Sequence, residues 1–560
     1  MRNIALLLLL AAGASTAAAP PPSLESALRT LQGGDAATAQ TMLEALIRQD
    51  PKSAPAWRAL GSACQQLHEP RRAIEAYQRA LALEPDSPQV FYSLGATYAG
   101  LHDATHAFEW LGRARASRRY DLTQATQDKN LESLRGDPRY AQLLPVPADF
   151  AQPFVEPVRI LHEWRGEAAN DQFGWIARNL GDVDGDGSAD VVVSAPTHGA
   201  AASNAGKIYV YSGGSGALLW SADGLAGEQL GTGVEAAGDT NHDGIPDVVA
   251  SGPYAGGVAR VYSGRDGRLL HEFRAPRADE SFGNHVAGAG DVDGDGYADI
   301  IVGSPGKDGE HSSAGHAYVY SGHSGALLVT LSGERVGDQF GSTVAGYSDG
   351  RQWFLVVGAP LAGPTRHGRV YVYAGREHQL KFTIDADATG NALGLMFVSL
   401  PGDMDGDGMS EVFASDWSND AHGLSTGRVY VHSGHTGQPL YTFTGEHAGD
   451  GFGTSASVAG DVDGDGRADL IVGAWQYGGA AVSGGRAYLY SGRDGHLLAT
   501  YTCRTPGDTF GFDAAGLGDV GHDGSTALVI TSGWSGVNGF HSGRVFVIAS
   551  GIPTQHAPRG

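Results

Sequence analysis

The sequence predicts a multidomain protein of two unlike parts: an N-terminal α-helical repeat stack, then an all-β propeller of seven blades closed by its own N-terminal strand. Three observations carry this. Residues 21–145 follow a helical pattern and are poor in glycine; from Phe173 onward a segment opened by Phe-Gly or Leu-Gly recurs seven times; and the last copy lacks a strand that is found ahead of the first. Each copy supplies four short apolar runs without helical period, which is what one propeller blade needs.

Met1 and Arg2 are followed by an apolar run, Ile4 to Leu10, and then by Ala17, Ala18 and Ala19 ahead of Pro20. A charged start, an apolar stretch and a small-residue site read as a secretory signal peptide over residues 1–19. The run is too short to cross about 30 Å of hydrocarbon as a helix. The expected mature chain is therefore secreted, to the periplasm, the cell surface or the medium, and is soluble, monomeric and not membrane-spanning. There are 38 basic against 62 acidic residues, a net charge of −24, which argues against nucleic acid as a partner because such binding rests on basic patches. Cys64 and Cys503 lie in segments of different character, so no disulfide framework is expected.

Within residues 21–145 the 34-residue segment Ala54–Ser87 sets Trp57, Leu60, Gly61, Cys64, Ala73, Tyr77, Ala80 and Pro85 at the positions of a helix hairpin. Gly61 and Ala73 are small where two helices cross closely, Trp57 and Tyr77 fill the space beside them, and Pro85 ends the second helix. This pattern resembles a tetratricopeptide (TPR) repeat. The next unit keeps Phe91, Leu94, Gly95, Tyr98, Ala107 and Ala114, and Ala39, Leu43, Leu46 and Pro51 fit half of an earlier one. Three units, about the minimum for a stable stack, are expected, followed by a capping helix near Asn130–Leu144. A helical spacer without repeats is the plainer alternative. Pro145, Pro147, Pro153 and Pro157 then mark a proline-stiffened linker over residues 146–157.

The propeller is expected over 158–551, with a tail at 552–560. Its repeats open at Phe173, Leu230, Phe282, Phe340, Leu393, Phe452 and Phe510, each followed by glycine. The seventh stops after Gly543–Gly551 without a fourth strand, whereas RILHEWRGE, Arg159–Glu167, resembles the fourth strands of the other copies. That strand is expected to complete the last blade, covering edges that an open ring would expose.

After each opening pair comes an acidic loop. In the third repeat Asp291, Asp293, Asp295 and Asp299 stand at relative positions 1, 3, 5 and 9, with Tyr297 placing a backbone carbonyl at position 7. Alternate carboxylates on a glycine-rich turn suit calcium, a hard ion that takes six to eight oxygens. The same spacing gives Asp182, Asp184, Asp186, Ser188 and Asp190; Asp239, Asn241, Asp243, Ile245 and Asp247; Asp403, Asp405, Asp407, Met409 and Glu411; and Asp461, Asp463, Asp465, Arg467 and Asp469. Blade four retains only Asp349, and blade seven has Gly521 and Ala527 where ligands 3 and 9 belong. About five structural calcium ions are expected, not seven. Solvated acidic turns without metal are the alternative, disfavoured because clustered carboxylates repel unless an opposite charge is present.

The Phe-Gly opening, the DxDGDGxxD loop and the GxP ending together resemble the FG-GAP repeat of the integrin α-subunit N-terminal propeller and its bacterial relatives. The resemblance implies calcium in a loop joining two strands of each blade and a role in adhesion or recognition. At the end of the second strand blades one to four carry Pro196, Pro253, Pro305 and Pro360, but blades five to seven carry Trp417, Trp475 and Trp534. With Tyr477 and Phe540 these are candidate anchors for a protein or glycan on the face opposite the acidic loops; packing between blades is the alternative reading.

No catalytic residue is expected. Gly346–Gly350 matches GxSxG but leads into a strand, and Gly516, Gly518 and Gly521 match GxGxxG without opening a helix. The expected function is a secreted, calcium-binding, non-catalytic recognition or adhesion protein whose TPR groove docks a protein partner. Two alternatives stand beside it. One is an accessory or catalytic subunit of an envelope enzyme; glycosylphosphatidylinositol-cleaving phospholipase D pairs a similar propeller with a separate catalytic domain, but the N-terminal part here lacks the ligand cluster for one. The other is a structural envelope scaffold.

Overall fold

In a computed structural model the structure describes residues 23–277, 281–306, 313–348, 353–375 and 377–552. The expected leader, and all of the expected tail except Ile552, lie outside them. The chain divides into two compact units, Met1–Asp149 and Phe150–Gly560.

The first unit is three antiparallel helix pairs: α1 (Leu24–Gln32) with α2 (Ala36–Gln49), α3 (Ala54–Gln66) with α4 (Pro70–Leu83), and α5 (Pro88–Gly100) with α6 (Ala104–Ser117). Side-chain caps start several of them; Asp35, Ser53 and Asp103 accept from the backbone N–H three residues on. Gly61 is required by packing, since a Cβ there would lie 2.4 Å from the Tyr77 ring. Tyr77 and Leu94 are fully buried in the shared core. The expected single capping helix is instead two short pieces, a 3₁₀ turn Lys129–Leu134 and α7 (Pro138–Leu143). The break is local: Asp137 caps a new start by accepting from Arg139 N, and Pro138 has no N–H with which to continue the earlier turn.

The second unit is seven four-stranded antiparallel sheets. The second strand of each blade, such as Asp190–Ala195, Asp299–Ser304 and Asp469–Ala474, is buried on both faces, as its unbroken β-branched run demands. Blade five is thinnest at the axis, where its first strand is only Val398–Ser399. The sheet of blade seven runs in the order Ile160–Arg165, Arg544–Ala549, Ala527–Ser532, Ala514–Gly518, so the N-terminal strand does close it, with Trp164 opposite Val545. Trp164 also donates through Nε1 to the Gly216 carbonyl at 2.9 Å and stacks on Tyr211 at 4.5 Å. The closing strand is thereby tied to blade one as well as to blade seven.

Half of the expected linker is not free. Phe154 bridges Cys503 in antiparallel fashion, Val155 N donates to Thr502 O at 2.9 Å, and Arg504 N donates to Pro153 O at 2.7 Å. Phe154 is buried against Phe510 and Phe546. The prolines keep this stretch extended, which suits an added edge on blade six.

One recurring element was not read from the sequence. A cation early in the third strand pairs with an acid on the segment entering the same blade: Lys207 with Glu167, Arg260 with Glu228, Arg369 with Glu334, Arg428 with Asp387, Arg486 with Glu446 and Arg544 with Asp508. Most of these pairs are partly exposed and contribute little. Arg544 and Asp508 are both fully buried, and removing one partner would strand a buried charge.

Blade-to-blade contact is close enough to require glycine. Gly543, at φ +84°, bridges Phe173 of blade one, and a Cβ there would lie 2.0 Å from the Phe173 carbonyl oxygen. Gly227 has a similar φ of +75° but nothing within 4 Å. Gly227→Ala is expected to cost about 1 kcal/mol, for the left-handed backbone alone, and Gly543→Ala about 3 kcal/mol or more. The urea midpoint of the propeller transition measures both; equal shifts would contradict the steric account.

Candidate functional site

The acidic loops share one hydrogen-bonded turn. In blade three Asp291 accepts from Gly294 N at 2.7 Å and Gly296 N at 3.1 Å, Asp293 from Asp295 N at 3.0 Å, and Asp295 from Tyr297 N at 2.9 Å. Gly294 and Gly296 take φ +81° and +93°, which is why glycine stands at both places. The turn is repeated in blade one around Asp182, Asp184 and Asp186, and in blade six around Asp461, Asp463 and Asp465. In blades three and six this brings the carboxylates of positions 1, 3 and 5 within 4.8 Å of one another, and in blade one those of positions 1 and 3 with that of position 9.

Position 9 does something else. Asp299 is fully buried; one of its oxygens accepts from Val292 N at 2.7 Å and the other from Gly322 N at 3.0 Å. Asp190 makes the same pair of bonds to Val183 and Gly213, Asp469 to Val462 and Gly492, and Asp247 to Thr240 and Gly264. This residue clamps the loop to the turn between the third and fourth strands. Each of its oxygens keeps a second lone pair for an ion. Burial, opposed by these backbone bonds and reinforced by neighbouring carboxylates, pushes Asp190 and Asp469 up to about 6 and Asp299 up to about 7. A bound cation would act in the opposite sense.

Ligand-capable oxygens lie within 4.8 Å of one another in four loops: Asp182, Asp184 and Asp190; Asp291, Asp293 and Asp295; Asp403, Asp405, Asp407 and Glu411; and Asp461, Asp463 and Asp465. The fit to a cation is clearest in blade five, where Glu411 Oε1 is buried with no hydrogen-bond partner and its carboxyl is pushed up to about 8 by burial and by the three aspartates. A hard divalent ion satisfies both conditions. The backbone carbonyls available at position 7 belong to Ser188, Tyr297, Met409 and Arg467. In blade two Asp239 holds the same turn and Ile245 N donates to Asp243, but the Asn241 amide nitrogen points at Asp247, and no three carboxylates gather within that distance. Blade seven keeps the turn at Asp519, and there the Arg159 guanidinium pairs with Asp523; a side-chain cation stands where the ligands are lost. Asp349 of blade four lies outside the described residues.

The aromatic set is packed, not displayed. Trp475 meets Trp417 at 6.3 Å and 75°, Trp534 at 4.7 Å and 72°, and Phe512 at 5.5 Å and 78°. Phe512 in turn meets Trp175 of blade one at 4.7 Å. Trp475, Tyr477 and Phe540 are buried, Trp417 and Trp534 half-buried. Tyr477 lies under the Arg486 guanidinium, and Phe540 stacks on His541. The expectation of exposed anchors is therefore corrected at Trp475, Tyr477 and Phe540, while Trp417 and Trp534 keep part of their surface. Edge-to-face contact across the gaps between blades uses their area for cohesion. Among the described residues, exposed large apolar side chains in connections that emerge opposite the acidic loops include Leu225, Tyr254 and Val336.

Residues 173–211 and 282–320 match the FG-GAP repeat, residues 403–472 an FG-GAP-like repeat, and residues 71–101 a TPR repeat. The chain is 34% identical over 172 residues to integrin alpha-PS5 of Drosophila melanogaster, an alignment covering 27% of this chain and 17% of that one. It is 34% identical over 161 residues to integrin alpha-PS3 of the same organism, covering 26% and 14%, and 30% identical over 159 residues to integrin alpha-V of Gallus gallus, covering 25% and 15%. The chain thus spans less than a fifth of the length of these relatives.

Two substitutions separate clamp from ligand. In the absence of divalent cations Asp299→Ala is expected to lower stability by roughly 2–5 kcal/mol, because two buried N–H groups lose their acceptor. Asp293→Asn keeps an acceptor for Asp295 N and should leave the cation-free protein unchanged. Chemical denaturation of both variants in chelator checks this.

Proposed function

We propose that this TPR-bearing FG-GAP propeller protein, similar in its repeats to integrin α-subunits, is a secreted calcium-stabilised recognition protein without catalytic activity of its own. The observation that carries the reading is the repeated turn: in four blades local backbone bonds gather carboxylates within 4.8 Å of one another. Ions held in this way stiffen the strand connections. They leave the opposite end free for binding, as loops on a rigid scaffold commonly are.

Recognition then falls to the exposed apolar side chains of that opposite end, Leu225, Tyr254 and Val336, rather than to the tryptophans packed beneath. A protein or glycan surface is the ligand class such side chains suit. The TPR unit is assigned a docking role toward a protein partner. No helix among the described residues is long and apolar enough to cross a membrane.

Removal of divalent cations is expected to lower the melting temperature of the propeller, and calcium to restore it, with a stoichiometry near five by elemental analysis of the dialysed protein. A melting temperature indifferent to chelator would exclude the structural role. Tyr254→Asp together with Leu225→Asp should abolish attachment of the labelled mature protein to cell envelopes while leaving its melting temperature intact. Undiminished attachment would move recognition off this end.

A further inference from the structure

The acidic loops of neighbouring blades meet in one recurring way. The residue at position 7 of one loop lies over position 4 of the loop before it. Across the junction of blades seven and one, Ser188 Oγ is within hydrogen-bond distance of His522 Nε2 at 3.2 Å; across that of blades two and three, the Tyr297 ring lies 5.2 Å from the His242 ring. Across blades five and six the two residues are Arg467 and Gly406. A Cβ added to Gly406 would fall inside the Arg467 guanidinium, so the glycine at this place is what lets an arginine lie on the loop. The residues at position 7 of the other four loops, Ser188, Ile245, Tyr297 and Met409, carry no charge.

Blade five is also the loop with the fullest ligand set, since oxygens of Asp403, Asp405, Asp407 and Glu411 all lie within 4.8 Å of one another. Arg467 Nη1 stands 3.6 Å from Asp403 Oδ1, with both side chains about a third exposed. Asp403 is already engaged by its own turn, accepting from Gly406 N and, at 3.0 Å, from Gly408 N. The guanidinium is a further claim on the carboxylate of position 1. The backbone of the same arginine serves the other blade: Arg467 N donates to Asp465 Oδ1 at 2.9 Å, and its carbonyl stands at position 7 of the blade-six loop. In blade seven Arg159 pairs with an acidic loop that has lost ligands. In blade five the ligands are kept, and an arginine attends them as well.

We propose that Arg467 is a tethered competitor for the cation of blade five, a residue that lowers the affinity of that site and sets it apart from the other loops. The inference rests on the calcium reading of the loops given above. A divalent ion held among the four carboxylates brings two positive charges to the carboxylate that the guanidinium faces. Like charges at such a distance repel, so the contact between Arg467 and Asp403 must loosen as the ion takes up that oxygen. The guanidinium stays charged at any pH at which the protein is folded, which makes the competition a fixed property of the site. Because the arginine is a long side chain, a third exposed, it can turn into solvent. The site is weakened by it, not closed.

Calorimetric titration of the metal-stripped mature chain with calcium tests the proposal. Asp405→Asn removes a carboxylate of blade five alone, so the binding class that it weakens is the blade-five site. Arg467→Gln keeps the carbonyl at position 7 of blade six and removes only the charge; it is expected to tighten the blade-five class about three- to tenfold and to leave the other classes as they are. Arg467→Lys, which keeps the charge, should bind more like the wild type than Arg467→Gln does, and the gain of Arg467→Gln should shrink at high salt. Calcium bound by the wild type but no more tightly by Arg467→Gln overturns this inference alone. So do equal tightening by Arg467→Lys and an Asp405→Asn titration identical to that of the wild type. A wild-type chain that binds no calcium overturns the calcium reading, and this inference with it.

Discussion

The propeller depends on one pairing, that of Ile160–Arg165 with Arg544–Ala549. Without it the third strand of blade seven would present a full row of unpaired backbone groups, the kind of edge that recruits foreign strands. The pairing is reinforced from both sides. Trp164 reaches blade one, and the buried Arg544 joins Asp508 to the Phe150 carbonyl, 394 positions away in sequence. Blade seven is thus the joint of the ring, and it is also the blade whose acidic loop has given up its ligands for the Arg159–Asp523 pair.

The acidic loops divide their labour by depth. Positions 1, 3 and 5 are partly exposed, while the position-9 aspartates Asp190, Asp247, Asp299 and Asp469 are buried and spend both oxygens on backbone N–H groups of two different turns. An ion added to such a loop would bind a structure already organised by hydrogen bonds. Part of the blade's rigidity then belongs to the chain and part to the cation. The turn around Asp519 illustrates the first part, since it persists with two of four ligands replaced.

Whatever repeats was legible in the sequence, and much of what occurs once was not. Seven Phe-Gly or Leu-Gly pairs, the displaced fourth strand and the three helix pairs could be read by aligning the chain with itself, because each copy faces the same packing problem. The double duty of Asp299 was hidden, since a ligand and a clamp call for the same residue at the same spacing. The Pro-to-Trp change at Trp417, Trp475 and Trp534 was visible, but its meaning was not. Whether an aromatic at a strand end faces solvent or the neighbouring blade is decided by the gap between blades, which local sequence does not encode. Arg178, Glu235 and Asp513, which hydrogen-bond across blades one, two and seven, had no periodic signal at all, and only the closing of the ring brings them together.

Closure by the first strand has a consequence for how the protein is made. Ile160–Arg165 leaves the ribosome long before Arg544–Ala549 exists, so the earliest strand of the propeller must wait for the latest. The helical unit ahead of it consists of neighbours in sequence and can fold at once, whereas the ring cannot be finished blade by blade. Contacts of such long sequence separation form slowly, and a chain cut short anywhere before blade seven keeps an orphan strand. Such a ring is assembled whole or not at all, and the waiting strand must be kept from pairing elsewhere until synthesis is complete.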